Sequence, residues 1–304
     1  MAKRRQKPVQ HKLELAALHL FQYWIRLPPL PVIHRAAEWL GRFTFSVMRV
    51  RRQVILQNLC QAFPEKSVRE RKRIGLRHMQ NFAKTAFEFM RFPVTTPEEI
   101  AARCEVTGQE HVQNALAQKK GVLLVSGHFG NWELICPMMT HLRFPASALA
   151  GTQHNARMND IMNETRERMG MNIITRGIGV RNIIKALRSN RCVVLISDQN
   201  APRLGIFVNF FGKPASTATG IAAFHLKLGS PIVFFFFIRL PRGRHRLVFL
   251  PFDPGPLQGT REKQIKTITR AYVSTLESMI RRYPEQYFWM HKRWKTRPPG
   301  EKQD

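Results

Sequence analysis

The sequence predicts an α/β fold: a mostly parallel central sheet flanked by helices and preceded by N-terminal helices. Three observations predict it. Short apolar runs such as Val122-Leu123-Leu124-Val125 and Cys192 to Ile196 read as strands buried on both faces. From residue 98 onward such runs alternate with helix-period segments, the pattern of β-α units. The stretch from Val32 to Phe92 carries helical patterns punctuated by Pro64.

Taken in order, Ser67-Val68-Arg69-Glu70 is a capping-box start for a helix running toward Phe89. The stripe Phe82, Ala86, Phe89, Met90 on that helix reads as core packing or as the lining of an acyl groove. Pro93 to Pro97 marks a boundary. Cys104 to Thr107 reads as a strand and Gln109 to Lys119 as a helix. The strand Val122 to Val125 is followed by a helix from Trp132 to His141. Ala148 to Ala150 is a strand. Asn155 to Met169 is a helix closed by Gly170. Asn172 to Thr175 is a strand, Val180 to Arg188 a helix and Cys192 to Ile196 a buried strand. A helix from Thr217, as N-cap, to Leu228 ends at Gly229. Pro231 to Leu240 and Arg246 to Phe252 form a hairpin, and Arg261 to Arg282 is the last long helix. The expected organisation is a basic arm with an interfacial or weakly anchoring helix over 1–30, then a domain over 31–298. That domain comprises a helical part, 31–97, and an α/β core, 98–298. A tail covers 299–304.

The 304 residues suffice for a sizeable core, and the formal net charge is +29. Such a field suits nucleic acid, an anionic membrane or an acidic protein. There is no zinc-finger spacing, RNP-type motif or basic zipper, so the membrane is preferred to nucleic acid. The four cysteines form no Cys-x-x-Cys pair, which argues against a metal site and for a reduced environment. Leu13 to Ile25 is apolar but too short to span a bilayer, which takes about 20 residues. It reads as a helix in the membrane interface or one packed on the domain.

The segment Ser126-Gly127-His128-Phe129-Gly130-Asn131-Trp132-Glu133 carries the chemistry. Five residues rotate a helix by about 500°, so His128 and Glu133 cannot share a helix face. They meet if His128 ends a strand and Glu133 lies in the first turn of the next helix, with Asn131 as N-cap. A carboxylate that orients an imidazole makes it a better general base, suited to deprotonating an alcohol that attacks an acyl donor. The plain alternative is a structural His–carboxylate pair. Asp198 follows the buried strand Val193 to Ile196 in the same strand-exit position, and flanks the same cleft or caps a turn. Arg157, Arg166, Arg168 and Arg176 are candidates for an oxyanion partner, with Arg166 preferred, or are solvated surface. Gly205 to Lys213 reads as an apolar-aromatic loop in which Phe211 and Lys213 seat an acyl chain or acceptor, or pack in the core. Tyr287-x-Trp289-x-His291 reads as strand-like or extended, and His291, Lys292 and Arg293 are candidates for a phosphate or acidic headgroup. No Gly-x-Ser-x-Gly elbow occurs, which disfavours a serine hydrolase.

Across these segments the chain resembles the late acyltransferases of lipid A biosynthesis, the lauroyl/myristoyl type within the His-x4-Asp/Glu glycerolipid acyltransferase group. The resemblance rests on His128 to Glu133, on Arg52 to Leu59 with Ala62 to Ser67, and on Ser197-Asp198-Gln199. Phe210 to Thr217 and Pro284 to Trp294 complete it. It implies a glycerolipid acyltransferase-like α/β domain and His128 as base with Glu133 as its partner. It also implies roles for an arginine in the 157–176 stretch and for Asp198 and Gln199. The implied donor is an acyl thioester, on acyl carrier protein or coenzyme A, and the implied acceptor is a lipid A precursor. The expected location is the cytoplasmic face of a bacterial inner membrane, peripheral or monotopic, with no cofactor. Acylation of another glycolipid or a lysophospholipid, and a non-catalytic basic binding protein, are the alternatives.

Overall fold

A computed structural model describes residues 24–151, 156–175, 179–202 and 205–300. After helical residues at 24–26, three helices follow: α1 (Leu30–Ser46), α2 (Arg52–Ala62) and α3 (Val68–Met90). Both halves of the predicted capping box start α3, since Ser67 accepts from the Glu70 N–H and Glu70 from the Ser67 N–H. Helix α1 crosses α3 closely at Gly41, where a Cβ would lie 2.6 Å from the Gln80 Cα.

The α/β part then alternates as predicted. It runs α4 (Pro97–Ala101), β1 (Cys104–Thr107), α5 (Gln109–Ala117), β2 (Val122–Ser126), α6 (Ile135–His141) and β3 (Ala146–Ala150). There follow α7 (Ala156–Arg168), β4 (Asn172–Thr175), α8 (Gly179–Arg188) and β5 (Cys192–Ile196). The remainder is β6 (Gly205–Phe210), β7 (Lys213–Ala218), α9 (Gly220–Leu228), β8 (Ile232–Arg239), β9 (His245–Pro251) and α10 (Arg261–Arg282). The seven-stranded sheet has the order β1-β9-β8-β2-β5-β3-β4, and only the β8–β9 pair is antiparallel.

Period-2 alternation sorts the central strands onto two apolar layers. Leu123, Val125, Val193, Leu195, Phe234 and Phe236 pack with α8, α9 and α10 on one face. Val122, Leu124, Cys192, Val194, Phe235 and Phe237 pack with α5 and α6 on the other. Helices on both faces explain the unbroken apolar runs. Ile55, Leu59 and Ile74 of α2 and α3 join the first layer.

Three expectations are corrected. Gly205 to Lys213 is not a loop: it belongs to a β6–β7 hairpin closed by Phe211 and Gly212, both at positive φ, the geometry of a two-residue primed turn. Thr217 is consequently a buried strand residue, and the following helix starts at Gly220. The strand Lys-Pro-Ala-Ser-Thr-Ala lacks the apolar alternation that announces strands. Tyr287 to His291 is not a strand either. Only Tyr287 makes a bridge, to Phe129, and turns follow.

Gly130 fixes the approach of the turn after β2 to the sheet. It has φ +59, and a Cβ there would stand 1.5 Å from the Phe237 carbonyl oxygen. Its N–H donates to the Gln286 carbonyl at 2.8 Å. Gly130→Ala is expected to cost about 3 kcal/mol or more. Gly212→Ala, also at positive φ but with open space around it, should cost only about 1–2 kcal/mol. Urea denaturation of the two variants measures the difference, and equal losses would contradict the close approach.

Candidate active site

Strands β2 and β5 are parallel neighbours in register, with Ser126 opposite Ile196. His128 and Asp198 each stand two residues past that pair, so matched strand exits bring them together. His128 Nδ1 and Asp198 Oδ1 are 2.6 Å apart, and the His128 backbone N–H donates to Asp198 Oδ2 at 2.8 Å. One carboxylate thus holds both the ring and the main chain of the histidine. Gly127 makes room for it, because a Cβ there would be 3.0 Å from Asp198 Oδ2 and 2.7 Å from Leu276. Asp198 is 3% exposed, whereas the His128 side chain is 22% exposed.

With Nδ1 given to Asp198, Nε2 is the nitrogen left for chemistry, and it makes no hydrogen bond among the described residues. Trp132 meets the imidazole edge-on with centroids 5.1 Å apart, and Phe288 lies 5.7 Å away. Phe82 packs on Phe288. Phe89, two turns further along α3, carries the Arg166 guanidinium over its ring at 5.6 Å. Phe82, Ala86, Phe89 and Met90 are half-buried. Phe89 packs against the layer of Val122, Leu124 and Phe237, and Met90 against the Ile33, Ala37 and Phe87 cluster, so core packing holds for these two.

Glu133 does not hold the imidazole as expected: no hydrogen bond joins it to His128 among the described residues. It lies in a 3-10 turn, Trp132–Leu134, that precedes α6. Its carboxylate takes a two-pronged bond from Arg166, Nε to Oε2 at 2.9 Å and Nη2 to Oε1 at 2.7 Å. The Trp132 indole N–H adds a third donor at 3.1 Å. Arg166 also donates to Asn163. A carboxylate so fully engaged has little left for a histidine, while Asp198 is already aligned with one.

Electrostatics follow this division. Burial lowers the His128 pKa, but the charge and hydrogen bond of Asp198, helped by Glu133, outweigh it and leave the imidazole above its ordinary 6.5. Burial raises the Asp198 pKa, but His128 outweighs it and holds the carboxyl below 3.8. Both directions describe one pair with its proton on the ring.

Asn131 makes no cap hydrogen bond at its helix start. It is fully buried, and its amide donates to Glu88 Oε2 at 2.5 Å. Glu88 also takes a two-pronged bond from Arg239 at 2.6 and 2.9 Å, and His34 Nε2 lies 2.6 Å from Oε1. Burial raises the Glu88 pKa, but Arg239, His245 and His34 outweigh it and keep the carboxyl well below 4.5. Nothing in the sequence marked Glu88. A carboxylate inside an apolar-periodic helix was the available signal.

Of the other expected residues, Arg293 and His291 lie near enough to Asp198 to feel its charge, and the rest are not brought to the pair. Arg293 is 2% exposed and donates to the Ser216 carbonyl and Thr217 Oγ1 at 2.6 Å, so its guanidinium faces inward. Phe211 packs in the core against Phe63 and Trp289. His291 Nε2 accepts from the Asn200 N–H at 2.9 Å. Gln199, Lys213, Lys292, Arg157 and Arg168 are exposed. Arg176 and most of the Leu13 to Ile25 segment lie outside the described residues, though Ile25 is buried and Trp24 exposed. Among the described residues no helix is long and apolar enough to cross a membrane.

A family model described as bacterial lipid A biosynthesis acyltransferase matches residues 4–296. The chain is 30% identical over 276 residues to the lipid A biosynthesis lauroyltransferase of Escherichia coli (strain K12), covering 90% of this chain and 88% of the relative. It is 27% identical to the palmitoleoyltransferase of the same strain, over 91% of this chain and 89% of the relative. The corresponding myristoyltransferase is 28% identical, over 86% and 80%.

Two outcomes follow from the site. Asp198→Asn removes the charge that lifts the imidazole and leaves the burial that lowers it. The His128 pKa should therefore drop below 6.5, which ring-proton NMR titration reads; a midpoint still above 6.5 would remove Asp198 as the partner. Glu88→Gln leaves Arg239 buried without its counter-charge and should cost about 3–5 kcal/mol in chemical denaturation at neutral pH. Because folding depresses the Glu88 pKa, this stabilisation is present above 4.5 and is lost as pH falls through the folded value.

Proposed function

The chain belongs to the bacterial lipid A biosynthesis acyltransferase family, and we propose that it moves a fatty acyl chain from an acyl thioester to a hydroxyl of a lipid A precursor. The observation that carries the reading is an accessible histidine with a buried carboxylate on Nδ1 and an uncommitted Nε2. In the proposed step, Nε2 takes the proton of the acceptor hydroxyl as its oxygen bonds to the thioester carbonyl carbon. The tetrahedral intermediate then expels the thiolate, which recovers the proton from the imidazolium. Asp198 holds the ring as the Nδ1–H tautomer and stabilises the charge that forms. No acyl-enzyme is required.

Glu133 acts here through Arg166, which it fixes beside the cleft as a cation for the developing oxyanion. The Phe82 and Ala86 part of the stripe is suited to an acyl chain, being apolar and continuous with the aromatic wall of His128. The net charge of +29 suits an acidic acyl carrier protein as donor and a phosphorylated lipid as acceptor. The site of action in this reading is the cytoplasmic face of the inner membrane.

The wild type and His128→Ala are to be expressed in a Gram-negative host lacking its own late acyltransferases, and their lipid A compared by mass spectrometry. The wild type should add one acyl mass or more, and the variant should add none above about 10⁻² of the wild-type rate, the lower share of general-base catalysis. Equal gains in both strains would sink His128 as the base. Unchanged lipid A with folded wild type would sink this acceptor.

A further inference from the structure

Eight of the twelve exposed large apolar side chains among the described residues fall between Trp24 and Val50. Trp39 is 67% exposed and stacks face to face on Phe43, with centroids 5.4 Å apart. At about 100° per residue, Val32, Ala36, Trp39, Phe43 and Val47 fall within an arc of about 80° on α1 and its end. The opposite face of α1 is used already: Ile33, Ala37, Gly41 and Phe45 are buried, chiefly against α3. Helix α1 is thus apolar twice, once toward the core and once outward.

Charge is arranged along the outer stripe. Arg35 and Arg42 are exposed on one edge of it, by the same helical count. Beyond its end, Arg49, Arg51 and Arg52 line a concavity at the start of α2, with exposed Val47, Met48 and Val50 between the stripe and the arginines. Residues 24–54 hold six arginines and a single acid, Glu38. Glu38 is paired with Lys84 at 2.5 Å.

We propose that this face docks on an anionic phospholipid bilayer, with α1 lying in the interface plane. Trp39 and Phe43 would enter the boundary between headgroups and chains, and the arginines would meet lipid phosphates. The arginine edge decides among occupants. A second copy would oppose arginines to arginines in a two-fold contact. The chain's own first 23 residues carry five cations and one acid, so they repel the same edge. An anionic lipid surface is the complementary partner. The helix that bears this face is tied to the candidate site by its opposite side: His34, about 180° round α1 from the stripe, and Asn131, three residues after His128, bind the two oxygens of Glu88. Docking would hold the cleft near lipid. The inference leans on the lipid-acylation reading only for its purpose.

The test uses the full chain and needs no acyl transfer, so it succeeds or fails apart from that reading. Sedimentation with vesicles of phosphatidylcholine and phosphatidylglycerol is compared for wild type and Trp39→Glu/Phe43→Glu. Both side chains are exposed, and an unchanged circular dichroism spectrum and melting temperature verify the fold. Binding should weaken about tenfold or more, and should weaken for wild type on vesicles of phosphatidylcholine alone. In wild type, brominated lipids should quench fluorescence that Trp39→Phe no longer contributes. Unchanged vesicle binding with unquenched Trp39 would overturn the proposal. So would a lipid-free dimer that the double substitution dissolves.

Discussion

The in-register parallel pairing of β2 and β5 is the constraint on which the site depends. Neighbouring parallel strands leave the sheet on the same side, and residues equally far past a register pair are placed side by side. Ser126 opposite Ile196 therefore puts His128 beside Asp198. A slip of one residue would turn Val125 and Leu195 onto the wrong layers of the core. The apolar layers that stabilise the fold thereby also hold the geometry of the histidine–carboxylate pair. Gly127 completes it, because the aspartate reaches the His128 backbone through the space a side chain would fill.

Behind the site lies a second, more costly construction. Burying Glu88 is unfavourable in isolation, and only a dense set of donors offsets the loss of water. Arg239 comes from the end of β8, His34 from α1, and Asn131 from the turn after β2. Gln286 adds backbone bonds to Arg239 and, through its own carbonyl, to Gly130. Charge at one point of α3 thus joins helices, sheet and the turn after β2. Apolar contacts could bury as much area there, but they would not set the orientation of the turn. The bonds to Asn131 and Gly130 are directional, and they act within three residues of His128.

Much of the fold was legible in the sequence because its strands are apolar on both faces and its turns carry glycine or proline. The bounds of Asn172–Thr175, Cys192–Ile196 and Arg261–Arg282 match the sequence expectation. The β6–β7 hairpin was not legible. Lys213 to Ala218 is built of small and polar residues, and Phe211 occupies a left-handed position that favours glycine or asparagine. At the site, the strand-exit argument reached both His128 and Asp198, but linear proximity drew the pairing toward Glu133. Spacing along the chain shows which side chains can approach. Which carboxylate wins depends on competing donors, and Arg166 arrives from a helix more than thirty residues away.

The charge balance follows from where the acids go. Only 20 carboxylates face 49 lysines and arginines, and several of those acids are used on internal work. Asp198 serves the histidine, Glu133 holds Arg166, and Glu88 holds Arg239. Glu277 accepts the Phe211 N–H and binds Arg281, and Glu105 is shared by Arg244 and Arg246. Acids committed in this way offset little of the surrounding basic surface, so the field at the surface is strongly positive. Such a field favours anionic lipid and acidic protein without specifying either. In the readings proposed above, selectivity then comes from shape and apolar contact: the aromatic wall beside His128, and the outward stripe of α1.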